Sequence, residues 1–301
     1  MKITVFVSAF VMSVLLCCQV AFGQEPVPEK STGQELHVLA IGNSFSESLR
    51  QFLVPVTESV PGCKIDFKNL YIGGCSLKLH WSNIEREAKE PQWRQFPNDG
   101  SYAEILASKP WDFVSIQQAS HFSWQYGTYF PWSKNLVDFV REHAKSAEVV
   151  MQQTWSYRND DARLAQWKLD PESMYEHLNE AYTKAAAELG IRLIPTGNAV
   201  QIARHTCPGY KPIAYADLGY PDLPDESCYV VGSLQWSNDK THIQGDTFHL
   251  NRRGAYLQAC VWFEFLFKRS AEEVTFVPEG ITAEDAQFLR SAAHAAFAPA
   301  P

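Results

Sequence analysis

A serine, an aspartate and a histidine stand near opposite ends of this chain in contexts that suit nucleophilic chemistry. Ser44 lies in Gly42-Asn43-Ser44-Phe45-Ser46, directly after the apolar run Leu36–Ile41. Asp246 and His249 lie in Asp246-Thr247-Phe248-His249, just ahead of the last long stretch of helical spacing. A serine hydroxyl is a weak nucleophile until a base takes its proton, and an imidazole needs a carboxylate to hold its tautomer. Together the three groups suit a serine hydrolase: Ser44 attacks a carbonyl, His249 takes the proton and Asp246 orients the ring. Their spacing of three places Asp246 and His249 on one side of a helical turn. A serine that opens a helix commonly serves only as its N-cap, but Ser46 and Ser48 are available for that task. The Gly-x-Ser-x-Gly elbow of α/β-hydrolases is absent around Ser44. His242, His80 and His121 are rival bases, and Asp239 is a rival orienting carboxylate.

These groups need a scaffold, and the chain alternates strand-like and helix-like segments. Short apolar runs bounded by Gly, Pro or polar residues predict strands at 36–41, 65–72, 111–117, 147–153 and 191–195. Helical spacing falls at 46–60, 82–90, 101–108, 131–145, 172–189, 198–205 and about 252–268, with a short Ala-rich helix over 282–297. This βαβα order predicts an α/β fold, a five-stranded parallel sheet between two layers of helices. Ligands of such sheets sit beyond the carboxyl ends of the strands, where Ser44, Gly73, Gly74, Gln117 and Thr154 all fall. Residues 206–245 break the pattern with Pro208, Pro212, Pro221 and Pro224, four tyrosines and Trp236. A loop this long in a compact domain is usually functional, and its aromatic content predicts a wall or lid over the site.

Composition narrows the partners. A net charge of −8 offers no basic stripe for nucleic acid. Lys2, the apolar stretch Ile3–Phe22, and small residues Ala21 and Gly23 ahead of Gln24 predict a signal peptide over 1–23 that is removed on export. No later segment is long and apolar enough to span a membrane. A polar leader then covers 24–35, the main domain 36–275, and a helix and tail 276–301. Five cysteines follow the signal: Cys63, Cys75, Cys207, Cys228 and Cys260. Their odd number leaves at least one thiol free. Cys63 and Cys75 flank a predicted strand too long for them to pair across. Cys207 and Cys228 flank the Pro-rich loop and could close it. No common zinc or dinucleotide signature occurs, so neither metal nor organic cofactor is expected. Nine Trp and twelve Tyr are mostly core material, but exposed ones would suit stacking on sugars.

Two blocks resemble a known family. Gly42-Asn43-Ser44 looks like the Gly-Asp-Ser motif of the SGNH (GDSL-like) hydrolases, and Asp246-x-x-His249-Leu250-Asn251-x-x-Gly254 looks like their closing Asp-x-x-His-Pro-Asn-x-x-Gly block. Gly73-Gly74-Cys75-Ser76-Leu77, Gln117-Gln118-Ala119-Ser120 and Gln153-Thr154-Trp155 resemble a little-characterised exported bacterial branch. The resemblance implies an SGNH/flavodoxin-like three-layer sandwich and an acyl-serine mechanism. It also implies an oxyanion hole from the Ser44 N–H, a glycine at the second strand's end (Gly74 before Gly73) and a side-chain amide. The usual Gly-x-Asn-Asp block is missing, and Gln117, with Gln118 as its substitute, takes the amide's place. His80, Trp81, Gln118, Trp155, Tyr157 and Arg204 sit at or beyond strand ends as candidate substrate contacts. The implied substrate is a carboxylic ester, foremost an O-acetyl group on a polysaccharide. A lipid or thioester hydrolase and a non-catalytic glycan-binding protein are the alternatives.

Overall fold

In the computed structural model, which describes residues 33, 35–215 and 218–298, five strands run parallel. They are β1 (Glu35–Gly42), β2 (Lys64–Tyr71), β3 (Phe113–Ile116), β4 (Glu148–Gln152) and β5 (Arg192–Ile194), in the order β2-β1-β3-β4-β5. The register runs Val38 beside Phe67 on one side and Phe113 on the other. Val38–Gly42 and all of β3 are buried, as expected of central parallel strands covered on both faces. The edge strand β2 is more open and carries Lys64, Asp66 and Lys68, charges that discourage pairing with another chain. The predicted strands are all present, each within a few residues of its expected ends. The expected signal peptide and nearly all of the leader lie outside the described residues.

The helices are α1 (Ser44–Glu47), α2 (Leu49–Glu58), α3 (Leu77–Lys89), α4 (Tyr102–Ala107), α5 (Trp132–His143), α6 (Ala162–Trp167), α7 (Pro171–Leu189), α8 (Thr196–Thr206), α9 (Arg252–Phe267) and α10 (Ala283–Ala295). Local signals set their ends. Asp170 caps α7 ahead of Pro171, and Gly190 at φ 62° closes it. Helix α9 is buried at every position from Gly254 to Phe263 and packs against α2, α8 and α10, while α5 packs against α3 and α4. No helix among the described residues is long and apolar enough to cross a membrane.

Residues 206–245 differ from the expected irregular lid. Cys207 and Cys228 are joined by a disulfide with Cα atoms 5.8 Å apart, and Cys63, Cys75 and Cys260 are free and buried. An antiparallel hairpin follows, β6 (Val231–Trp236) and β7 (Ile243–Leu250). Both strands mix Gly and polar residues, which hid them from a search for apolar alternation. The aromatics pack mainly on one another: Tyr210 lies 5.1 Å from Tyr229, and the Trp236 indole donates to Asp222 O.

Candidate active site

The turn after β1 is built to present Ser44. Asn43 is the N-cap of α1, its Oδ1 accepting the Phe45 N–H at 2.9 Å, so the Ser44 hydroxyl is not spent on capping. Asn43 Nδ2 donates to Cys75 O at 2.9 Å, which ties the end of β1 to the Gly73-Gly74 turn after β2. Gly42 admits no side chain, since a Cβ there would lie 2.1 Å from Ser46 Oγ. Gly74 has φ +63°, a left-handed conformation that favours glycine. Among the described residues, neither the Ser44 nor the Gly74 N–H has a hydrogen-bond partner.

Three buried glutamines brace this turn from below. Gln117 Nε2 donates to Asn43 Oδ1 at 2.6 Å, and Gln152 Nε2 donates to Gln117 Oε1 at 3.2 Å. Gln152 and Gln258 both donate to Phe45 O, at 3.0 and 2.9 Å. Gln117 differs from its expected place: one amide N–H is directed to Asn43 beneath the site, and the residue that reaches the cavity wall from the end of β3 is Ser120. Gln118 is no substitute, because its Oε1 accepts from Leu77 N and its Nε2 donates to Thr128.

Asp246 and His249 arrive on β7, not on a helical turn. Strand alternation alone would send residues three apart to opposite faces. The chain instead wraps around the carboxylate: Asp246 Oδ1 accepts the N–H groups of Phe248 at 2.8 Å and His249 at 2.7 Å. Asp246 Oδ2 lies 2.5 Å from His249 Nδ1, and His249 Nε2 lies 2.8 Å from Ser44 Oγ. The carboxylate fixes Nδ1 as the protonated nitrogen and leaves the Nε2 lone pair to accept from the serine. Burial would raise the Asp246 pKa, but hydrogen bonds from the His249 ring and from the His249 and Phe248 N–H groups outweigh it and hold the value down to about 2. The further residues of the block also have mechanical tasks. Asn251 caps α9 through the Gly254 N–H and donates to Tyr229 O.

Ser44 and His249 open into a cavity of about 350 Å³, walled also by Asn43, Phe45, Tyr71, Gly73, Gly74, Ser120, His121, Arg163 and Phe248. The other expected substrate contacts are elsewhere. Trp155 is buried, stacks on Phe45 at 4.2 Å and donates its indole N–H to Phe248 O. Tyr157 is buried with its hydroxyl 2.8 Å from Ser120 Oγ. Arg204 is buried and donates to the carbonyls of Ser156 and Tyr157, holding the segment after β4. His80 is fully buried between Gly42 O and the Tyr102 hydroxyl, and Trp81 packs edge-on to Phe139. These residues stand beside strand ends, but their side chains point into packing, which position in sequence cannot distinguish. The 206–245 loop contributes no described residue to the wall and instead supports β7. His242 and Asp239 lie in the hairpin's exposed tip, where Asp239 is engaged with Ser237 and Thr241. Arg163 and Tyr71 escaped sequence analysis because no motif marks them, and Phe248 because it fills an unspecified position of the Asp-x-x-His block. Among the described residues no group of three His, Cys, Asp or Glu could hold a metal.

The profile of DUF4886, a domain of unknown function, matches residues 37–217, more than half of the chain. The chain belongs to the DUF4886 family. Ser44 and the Gly73-Gly74 turn fall inside the matched segment, and the Asp246–His249 block lies beyond it. A crystal structure of a DUF4886 family protein from Bacteroides uniformis is 29% identical, with 87% of this chain and 95% of that one covered, at a TM-score of 0.67. A member of the lipolytic G-D-S-L family from Veillonella parvula is 16% identical, covering 78% of this chain and 99% of that one, at a TM-score of 0.41. A family 3 carbohydrate esterase from Clostridium thermocellum is 13% identical, covering 77% of this chain and 94% of that one, at 0.43. No curated protein matches the chain. The parallel sheet, its strand order and the two motif blocks meeting at one crevice make this DUF4886 protein SGNH-like in fold, as the resemblance implied.

Proposed function

We propose that the protein is a serine esterase acting on short acyl groups, foremost O-acetyl groups of a carbohydrate, through an acyl-serine intermediate. The observation that carries this reading is the continuous contact from Asp246 Oδ2 through His249 to Ser44 Oγ, at 2.5 and 2.8 Å, on the wall of an open cavity. Ser44 Oγ attacks the ester carbonyl as its proton passes to His249 Nε2, and the carbonyl oxygen becomes an oxyanion facing the Ser44 and Gly74 N–H groups. Collapse breaks the bond to the alcohol, which takes the proton from His249. Water then gives a proton to the same nitrogen and attacks the acyl-serine, and collapse breaks the bond to Ser44 Oγ, which takes the proton back from His249 as the acid leaves. The cavity, at about 350 Å³, is small, which suits a short acyl chain better than the long one of a lipid substrate. The Cys207–Cys228 bond supports export to an oxidising compartment.

The test is hydrolysis of 4-nitrophenyl esters of increasing chain length and of acetylated polysaccharide by the wild type, Ser44→Ala and His249→Ala. Each substitution should lower kcat by at least about 10³-fold with the circular dichroism spectrum unchanged, and the double variant should lose little more. Retention of more than a few per cent of activity by Ser44→Ala would remove the serine mechanism. A wild type inert on every ester would favour glycan binding without catalysis.

A further inference from the structure

The chain carries a net charge of −8, yet among the described residues the active-site cavity has no carboxylate on its wall and one permanent charge, the guanidinium of Arg163. Asp161 pins that group from behind, accepting Nε–H at 2.9 Å and Nη2–H at 2.6 Å. Asp161 itself is 3% exposed and also accepts from Thr247 Oγ1 at 2.6 Å. The guanidinium carbon lies 4.2 Å from the Phe248 ring centre and 4.4 Å from that of Tyr157. Among the described residues Nη1 has no partner, and the side chain remains 34% exposed. An arginine held along one edge in this way presents its other edge, Nη1 with the second Nη2 hydrogen, as two parallel donors. A carboxylate matches that edge in charge and geometry.

Its place in the fold assigns the part of the substrate it faces. The sheet order β2-β1-β3-β4 sets the Gly74 turn to one side of Ser44 and the segment after β4, which carries Arg163, to the other. Phe248 links Arg163 to the base, its ring 4.1 Å from that of His249. His249 returns its proton to the leaving alcohol, so Arg163 borders the alcohol portion and not the acyl group. We propose that Arg163 selects esters whose alcohol part carries a carboxylate, such as an acylated uronic acid unit. This rests on the esterase reading above. His121 shares the same wall, and burial, aided by the Arg163 charge, lowers its pKa, so it faces such a ligand as a neutral hydrogen-bonding group.

A matched pair of esters tests the assignment: 4-nitrophenyl acetate and 5-acetoxy-2-nitrobenzoate, which differ by a carboxylate on the leaving group. The wild type should favour the acid by about tenfold or more in kcat/KM relative to their rates in hydroxide. Arg163→Gln should abolish that preference, and Arg163→Lys, which keeps charge without the fork, should retain part of it. A merely structural Arg163 would lower both rates together and leave their ratio intact, and an unchanged ratio in Arg163→Gln overturns the proposal. If the wild type hydrolyses neither ester, the esterase reading fails, and binding decides the role of Arg163 separately. Ser44→Ala should then bind galacturonate and not galactose in calorimetry, with the difference lost on adding Arg163→Gln. Equal binding of both sugars, or of neither, overturns it.

Discussion

His249 can act as a base only with Nε2 unprotonated, and Asp246 holds the ring proton on Nδ1, the tautomer that leaves Nε2 free. The Asp246 carboxyl group, held down to about 2, stays ionised well below the range in which an imidazole titrates. The acid side of the kcat/KM profile should therefore show one ionisation, that of the group accepting the Ser44 proton. Two protons on that limb would mean that Asp246 titrates within the range. Asp246→Asn keeps an oxygen for the Phe248 and His249 N–H groups but offers an amide to Nδ1, which favours the wrong tautomer. A loss of roughly 10³–10⁴ in kcat with little change in KM is expected from steady-state kinetics. An undiminished kcat would assign the orienting role to another group. At this scale the sequence was informative because Ser, Asp and His each occupy a motif whose spacing survives in one dimension. Arg163 carries as much charge but no motif, and only the fold brings it to the same cavity.

The elements position these groups through contacts that no periodicity reveals. Gln117 illustrates the point: its place after β3 suited an oxyanion donor, but one residue's turn of the chain sends the amide beneath Asn43. Likewise, the three-residue spacing of Asp246 and His249 suggested a helical turn, whereas backbone donation to the carboxylate achieves the juxtaposition on β7. His80 is a third case, a presumed cleft residue that braces β1 by donating Nε2–H to Gly42 O, two residues from Ser44. Burial above all pushes its pKa down to about 4, against the opposing effect of that hydrogen bond. The unfolded chain takes up this proton below pH ~6.5, while the native state resists it until about 4. Its share of stability is thus complete above the unfolded value and is lost as pH falls through the folded one. The shift corresponds to roughly 3 kcal/mol. Urea unfolding at pH 7 and pH 4.5 should show this loss in the wild type and a flatter dependence in His80→Gln. The same slope in both proteins would place the proton uptake elsewhere.

Across the whole molecule, the alternation of strands and helices was legible because parallel strands buried on both faces read as uninterrupted apolar runs. The hairpin was not, since β6 and β7 mix Gly and polar residues and take apolar cover from the preceding loop, where Ile213 and Tyr229 pack with Leu234 and Ile243. That dependence gives the Cys207–Cys228 bond its mechanical place. It joins the end of α8 to the residue before Tyr229, whose carbonyl receives Asn251 Nδ2 and Arg253 Nη1. The bond therefore anchors the entry to the hairpin, while the end of β7 delivers His249 to the cavity. With a sequence separation of 21, it closes a loop whose entropy in the unfolded chain is worth about 3 kcal/mol. Cys207→Ser with Cys228→Ser should lower unfolding stability by approximately that amount, measured by urea titration. Because no described residue of the loop lines the cavity, the variant should keep its kcat/KM on a short acyl ester at temperatures well below its new midpoint. Unchanged stability would show that the bond does not constrain the unfolded chain. Lost activity with an intact fold would show instead that the loop shapes the catalytic wall, as its aromatic content first suggested.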